Sequence, residues 1–307
     1  MKKTWSALAL VAASGLALTG CSGGGAASGS QGDELEGLTG VIGAKDFAEQ
    51  YVLAYITTEL FNAHGADVEA NIELVGSTNV RQALENDQFL GYWEYTGTGW
   101  ITYLGETEPV QGAEEQYQAV AEADLDENGI AWLEPAPLNN TYAFAALTET
   151  AEELGVTTLS DVAALPEDQQ TFCIESEFST RDDGWPGLRD TYGFADNTAM
   201  LDTGVIYTAT AAGDDCTFGE VFETDGRIPG LGLTVLEDDL EFFPNYQGSF
   251  TLKQTTLDEY PAIADVIGLV APLLTTEVMQ QLNSQVDVEG EDPQDVAIDW
   301  LTEQGLI

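Results

Sequence analysis

Leu38-Thr39-Gly40-Val41-Ile42-Gly43-Ala44-Lys45-Asp46-Phe47-Ala48-Glu49-Gln50 carries the reading on which the fold turns. Its first six residues are a short apolar run of the kind that forms a buried strand. Asp46-Phe47-Ala48-Glu49 has the spacing of a capping box, which opens a helix. That helix continues through apolar Phe47, Tyr51, Ala54, Tyr55, Leu60 and Phe61 until Gly65 stops it. A strand running straight into a helix is the repeating unit of α/β proteins.

The same alternation extends outward. Residues 68–75 alternate as a strand should, Ser77 or Thr78 can cap a helix through Leu84, and 89–95 reads as a strand. Helices are expected over 96–104 and 113–123, and strands over 130–134 and 141–147. The second half repeats the pattern. Ser160 caps a short helix, 171–175 is a strand, and 204–212 is a helix. Strands follow at 217–224 and 233–236, then helices at 257–274 and 293–304. Strands alternating with helices predict an α/β architecture with largely parallel sheets.

Composition narrows the function. Of 307 residues, 44% are hydrophobic, enough for sizeable cores. Eight Lys and Arg stand against 54 Asp and Glu, a net charge of −46. Such a polyanion will not bind nucleic acid and is repelled by anionic membrane surfaces. The acids are scattered through periodic apolar sequence instead of forming a tail. The expectation is a solvated acidic surface suited to high external salt, and a halophilic or salt-tolerant source.

The N-terminus reads as an export signal. Met1-Lys2-Lys3 is basic, and 7–18 is apolar but short for a membrane span. Leu18-Thr19-Gly20-Cys21 resembles the lipobox of bacterial lipoproteins, which implies a signal peptide over 1–20 and lipidation of Cys21. Residues 21–36 then form a flexible tether. Without Lys2 and Lys3, six cations face the 54 acids, a net of −48. The expected location is extracytoplasmic, lipid-anchored to the cell membrane. The other two cysteines, Cys173 and Cys216, each lie near the start of an expected strand and can form one disulfide.

Signals for chemistry are thin. The single His64 stands at a helix end before Gly65, where an imidazole is usually a capping or surface group. Two cysteines and one histidine make no zinc spacing, so no metal is expected. Asp124-Leu125-Asp126-Glu127-Asn128-Gly129 matches the first half of an EF-hand loop, but Pro135 stands where the last ligand should be Glu. No nucleophile elbow or P-loop is present. Neither a catalytic residue nor a cofactor is expected.

Six blocks in order resemble the substrate-binding proteins of osmoprotectant ABC importers, those for glycine betaine, proline betaine and choline. They are Gly43-Ala44-Lys45-Asp46-Phe47-Ala48-Glu49-Gln50, Leu84-Glu85-Asn86 with Glu94-Tyr95-Thr96-Gly97-Thr98, and Asn140-Thr141-Tyr142-Ala143-Phe144. Then come Glu177-Phe178-Ser179-Thr180-Arg181-Asp182-Asp183-Gly184, Thr224-Asp225-Gly226-Arg227, and Phe242-Phe243-Pro244-Asn245-Tyr246. The resemblance covers 38–307. It implies a type II periplasmic-binding fold, with two α/β lobes joined by a two-segment hinge. Lobe one is expected over 37–140 and 245–307, and lobe two over 141–244.

The resemblance further implies an aromatic box of Tyr95, Tyr142, Phe222 and Tyr246, with Phe178 as added apolar wall. Phe222 stands where the family usually has Tyr. It keeps the π-face and loses the hydroxyl, which weakens the cation site or changes the preferred ligand. Lys45, Thr98 and Arg181 match positions that contact the ligand carboxylate. The chemistry suits glycine betaine, whose quaternary ammonium cannot donate a hydrogen bond. Aromatic faces attract it, at about 0.5–2 kcal/mol per ring once desolvated. The partners implied are a small osmolyte and an ABC permease, and the chain is expected to be a monomer. Choline, proline betaine and ectoine are sister ligands. Choline has no carboxylate and would leave Lys45 and Arg181 idle. A more distant alternative is an enzyme on a two-lobe fold, against which the missing catalytic constellation argues.

Overall fold

The computed structural model describes residues 32–106, 110, 112–213 and 215–307. The expected signal peptide, the expected lipidation site Cys21 and most of the expected tether lie outside the described residues. The tether's last positions lie within them and pack: Leu35 is fully buried, and its N–H donates to His64 O at 2.9 Å.

Among the described residues, ten strands form two five-stranded sheets. Sheet one has the order β2-β1-β3-β10-β4, built from β1 (Thr39–Gly43), β2 (Asp67–Asn71), β3 (Gly91–Tyr95), β4 (Ile130–Trp132) and β10 (Gly248–Lys253). Sheet two has the order β7-β6-β8-β5-β9. Its strands are β5 (Tyr142–Leu147), β6 (Phe172–Ile174), β7 (Thr198–Met200), β8 (Phe218–Phe222) and β9 (Leu233–Leu236). The sheets are mixed, not largely parallel as the alternation predicts. β10 runs antiparallel to both β3 and β4, and β5 runs antiparallel to both β8 and β9. Each sheet with its helices is one lobe of the two-lobed type II fold.

The chain passes between the sheets twice, through the segment before β5 and the segment before β10. The two crossings lie side by side. Asn139 bridges Gln247, Asn140 N–H donates to Tyr246 O at 3.1 Å, and Tyr246 N–H donates to Asn139 Oδ1 at 2.8 Å. These two hydrogen-bonded segments are the places where the backbone passes from one sheet to the other.

The opening block folds as strand then helix, but its cap differs from the expected one. Helix α1 (Ala48–Ala63) has Phe47 at its N-cap and no side-chain cap. Asp46 Oδ1 accepts instead from Gly76 N–H at 2.9 Å. Glu49 is buried and accepts from the Tyr95 hydroxyl at 2.7 Å, so neither acid is free to cap. Ser160 does not cap the short helix near it either. Thr158 does, in a capping box with Asp161. The helix expected over 257–274 breaks at Tyr260 and Pro261, as a proline inside a helical pattern dictates.

The partial EF-hand motif is helical. Asp124 sits in the helix Ala113–Asn128, fully buried, and accepts from Arg81 Nη1 at 2.7 Å and Trp132 Nε1 at 2.7 Å. Its oxygens serve an ion pair inside lobe one. A disulfide joins Cys173, within β6, to Cys216, just ahead of β8, with Cα atoms 5.6 Å apart; the two strands pair in parallel. Among the described residues, no helix is by itself long and apolar enough to cross a membrane. No group of three or more His, Cys, Asp or Glu side chains among them is placed to hold a metal ion.

Candidate functional site

The carboxyl ends of β1, β3, β6 and β8 converge between the lobes, the place where open α/β sheets hold ligands. After β1, the turn into α1 carries Lys45, Asp46 and Phe47. β3 ends at Tyr95, and the short helix with Thr98 follows. After β6, a loop carries Glu175, Glu177 and Arg181. β8 ends at Phe222, opposite Tyr142 at the start of antiparallel β5. The returning crossing adds Tyr246. These residues line one cavity of about 380 Å³.

Its aromatic wall is continuous. Tyr142 lies 5.0 Å from Phe222 and 5.5 Å from Tyr246 between ring centroids, the latter edge-on at 90°. Phe47 stacks on Phe222 at 5.6 Å and 11°, and its ring centroid is 6.3 Å from that of Tyr95. The rings are pinned by their polar tips. The Tyr95 hydroxyl donates to Glu49 and accepts from Gln50 Nε2 at 3.0 Å, and the Tyr246 hydroxyl donates to Asp183 at 2.6 Å. Burial, with the neighbouring carboxylates, pushes both phenol pKa values well above the usual tyrosine range, so the hydroxyls stay protonated. Gly97 permits the close approach of Tyr246, because a Cβ there would stand 2.7 Å from its ring.

Of the eight residues expected at the ligand, Lys45, Tyr95, Thr98, Tyr142, Arg181, Phe222 and Tyr246 line this cavity. Phe178 does not. It is fully buried behind Tyr142, 4.8 Å between centroids, and against Phe144 at 5.9 Å. It backs the wall without facing the cavity. Phe47 does face it, and sequence reasoning assigned that ring to the core face of a helix. An aromatic directly after Lys45 in the strand-to-helix turn was the available signal.

The cations are not idle. Lys45 Nζ is 2.5 Å from Glu94 Oε1, with both side chains buried, and lies 5.0 Å over the Tyr95 ring. Glu94 also accepts from the hydroxyls of Tyr92 at 2.8 Å and Tyr103 at 2.7 Å. Arg181 makes a fork to Asp183, from Nε at 2.7 Å and Nη2 at 2.5 Å. Its Nη1 donates to Glu177 at 2.9 Å, and Nη2 reaches Thr98 Oγ1 at 3.4 Å. Its guanidinium carbon lies 5.5 Å from the Tyr142 ring centre. Burial opposes the charge of Arg181, yet Tyr142 and Asp183 beside it push its pKa well above the usual arginine value.

Acids on the same wall went unread, because no single carboxylate stands out among 54. Glu175 and Glu177 both line the cavity. Glu175 accepts from the N–H groups of Glu177 and Phe178 at 2.8 and 2.5 Å, which shapes the loop carrying Arg181, and burial raises its pKa. Behind it, Glu220 is fully buried, with burial first and Glu175 second pushing its pKa well up. Its Oε2 accepts from Glu175 N–H at 2.8 Å. The arrangement can surround a compact cationic head with rings and acids. No nucleophile and base are paired within it.

Known proteins resemble this chain throughout. The family described as the substrate-binding domain of the ABC-type glycine betaine transport system matches residues 40–303. A glycine-betaine-binding protein of Pseudomonas aeruginosa is 35% identical over 277 residues, 87% of this chain and 88% of the relative. The glycine betaine-binding protein YehZ of Escherichia coli is 30% identical over 274 residues, 86% and 90% of the two chains. Among solved structures, that of a glycine betaine/carnitine/choline ABC transporter superposes with a TM-score of 0.74 at 26% identity, covering 87% and 99%.

Proposed function

Because this chain belongs to the substrate-binding family of ABC-type glycine betaine transport systems, we propose that it captures glycine betaine outside the cytoplasm and passes it to an ABC permease. As a substrate-binding protein it carries an osmoprotectant and catalyses nothing. The observation that carries the reading is the wall of Phe47, Tyr95, Tyr142, Phe222 and Tyr246 around one cavity between the lobes. A trimethylammonium group has no N–H to offer, so a wall of π-faces suits it better than a row of acceptors would. Five rings at about 0.5–2 kcal/mol each bracket the roughly 8 kcal/mol of micromolar binding. Lys45, Thr98 and Arg181 are the groups we assign to the carboxylate.

The second reading is choline. Lys45 and Arg181 both pair with the protein's own carboxylates, so neither needs a ligand carboxylate, and Asp46, Glu175 and Glu177 put three acids on the wall. Proline betaine and ectoine share the zwitterionic chemistry of glycine betaine. The rest of the proposal follows the sequence: lobe boundaries near 140/141 and 244/245, a lipid anchor at Cys21, a monomer, and a salt-adapted surface.

Calorimetric titration with glycine betaine, choline, proline betaine and ectoine tests the reading. Glycine betaine should bind at micromolar Kd, and at one hundred times Kd should stabilise the fold by about 2.7 kcal/mol. Tight binding of an ordinary amino acid, with no response to any of the four, would sink the proposal.

A further inference from the structure

We propose that Glu177 sets the ligand selectivity of the cavity: its carboxylate holds the seat that a ligand carboxylate would take. A ligand with an anionic end must therefore displace Glu177, and a ligand without one need not. This inference rests on the quaternary-ammonium reading of the site.

Glu177 lies on lobe two and reaches donors of both lobes. Its Oε1 accepts from Arg181 Nη1 at 2.9 Å, and its Oε2 accepts from Ser77 N–H at 3.2 Å, one hundred residues away. Ser77 begins helix α2 (Ser77–Glu85), whose N-cap Gly76 has a φ of 84° and no side chain to cap with. The helix start thus has its partner across the cleft, and a carboxylate is what helix N-termini and arginines together favour. A bound ligand's carboxylate between the lobes would seek the same two donors.

The other carboxylates on these cations cannot give way. Glu94 and Asp183 have side chains no more than 2% exposed, and each accepts further hydrogen bonds from tyrosines. Removing either from its cation would strand a buried charge. Glu177 is 32% exposed at its side chain. It also borders a second cavity of about 430 Å³, lined by Thr78, Asn79, Thr102 and Asp182, into which it can swing. Burial works against its charge, but Arg181 and Lys45 together hold its pKa below the usual glutamate range, so it is anionic at neutral pH. With Glu177 seated, an arriving carboxylate would be a third anion on a guanidinium that Asp183 already neutralises.

The test compares wild type, Glu177→Gln and Glu177→Ala by calorimetric titration with glycine betaine and with choline. Glutamine keeps the shape and can still accept from Ser77 or Arg181, but removes the charge. Like charges in a desolvated site repel strongly, so Glu177→Gln should tighten glycine betaine by about tenfold or more. Choline should not tighten, and Glu177→Ala should shift the same ratio in the same direction. A betaine-to-choline ratio unmoved in both variants, or betaine weakened in both, would overturn the role of Glu177 while leaving the betaine reading standing. A wild type that binds neither compound overturns both.

Discussion

At the scale of the residue, the site separates rings that face the cavity from rings that only support them. Phe47 stacks on Phe222 and lines the cavity, whereas Phe178 is sealed behind Tyr142. Phe47→Ala should therefore weaken glycine betaine about three- to thirtyfold, the loss of one cation–π face at roughly 0.5–2 kcal/mol. Phe178→Leu should lower the stability of the fold by about 1–3 kcal/mol while leaving Kd within about threefold. Titration and thermal melts of the two variants check this, and a larger affinity loss for Phe178→Leu would reverse the assignment. The place of Lys45, Thr98 and Arg181 on the cavity wall was legible because a recognisable block surrounds each. What the blocks do not reveal is who pairs with whom. Every cation of the described residues has an acid partner, from Lys45 with Glu94 to Lys253 with Asp87 at 2.6 Å. Partners 49 or 166 positions apart leave no local signal, so the pairs of Lys45 and Lys253 emerge only from the fold, whereas Arg181 pairs with acids two and four positions away.

At the scale of the element, the lobes meet where the helix Thr276–Asp287 of lobe one packs on the turn after β8. Gln280 Nε2 donates to Glu223 O at 2.8 Å, and Asn283 Nδ2 donates to Thr224 O at 2.9 Å. Gly226 lies so close that a Cβ there would stand 2.6 Å from Ser284. Asp287, at the end of this helix, faces the Arg227–Asp225 pair, 3.5 Å from Arg227. Burial first, with Asp225 adding to it and Arg227 opposing, pushes its pKa up to about 6. A folded pKa above the unfolded value means that protonation favours the fold. The stability it contributes is fully present below about pH 4 and is lost as pH rises through about 6. Asp287→Asn should thus melt higher than wild type at pH 7.5, by roughly 2–4 °C for each kcal/mol recovered. The difference should close as pH falls from 7 to 4. A gap that is constant over that range would show that Asp287 does not titrate there. This helix and β10 were among the elements that the sequence pattern did not yield, as were the helices Thr148–Leu154 and Trp185–Tyr192 and strand β7. β10 reads Gly-Ser-Phe-Thr-Leu-Lys, with polar residues at alternate positions, yet its first five residues are buried. Burial is possible because Ser249 Oγ donates to Leu133 O and Thr251 Oγ1 to Tyr92 O. A hydroxyl satisfied by backbone behaves as a core residue, and nothing in the sequence says where its acceptor will be. β1, β9 and the helix Pro293–Gln304 were legible because short apolar runs and a proline start speak for themselves.

At the scale of the whole molecule, the charge dominates. Eight Lys and Arg against 54 Asp and Glu leave an excess that only solvent and counterions can answer. The Debye length shrinks from roughly 30 Å at 0.01 M salt to about 3 Å at 1 M. The melting temperature should therefore climb over that range, while the Kd for glycine betaine should move little, since Lys45 and Arg181 are buried. Melting scans and titrations on one salt series separate the two effects. A flat or falling melting temperature would contradict the salt-adapted surface, and a steep loss of affinity would contradict a sheltered site. The path of the chain through the two sheets has a further consequence, for the order in which a polypeptide emerging N-terminus first can become protein. Every strand of sheet two lies between residues 142 and 236, so that sheet can be whole as soon as residue 236 is free. Sheet one cannot, because β10 belongs between β3 and β4, and until residue 253 appears those two strands have no neighbour on the facing side. The half that begins the chain is therefore the last to be finished. Tyr246 arrives just ahead of β10, so the wall of the cavity is completed in nearly the same step as the sheet that supports it.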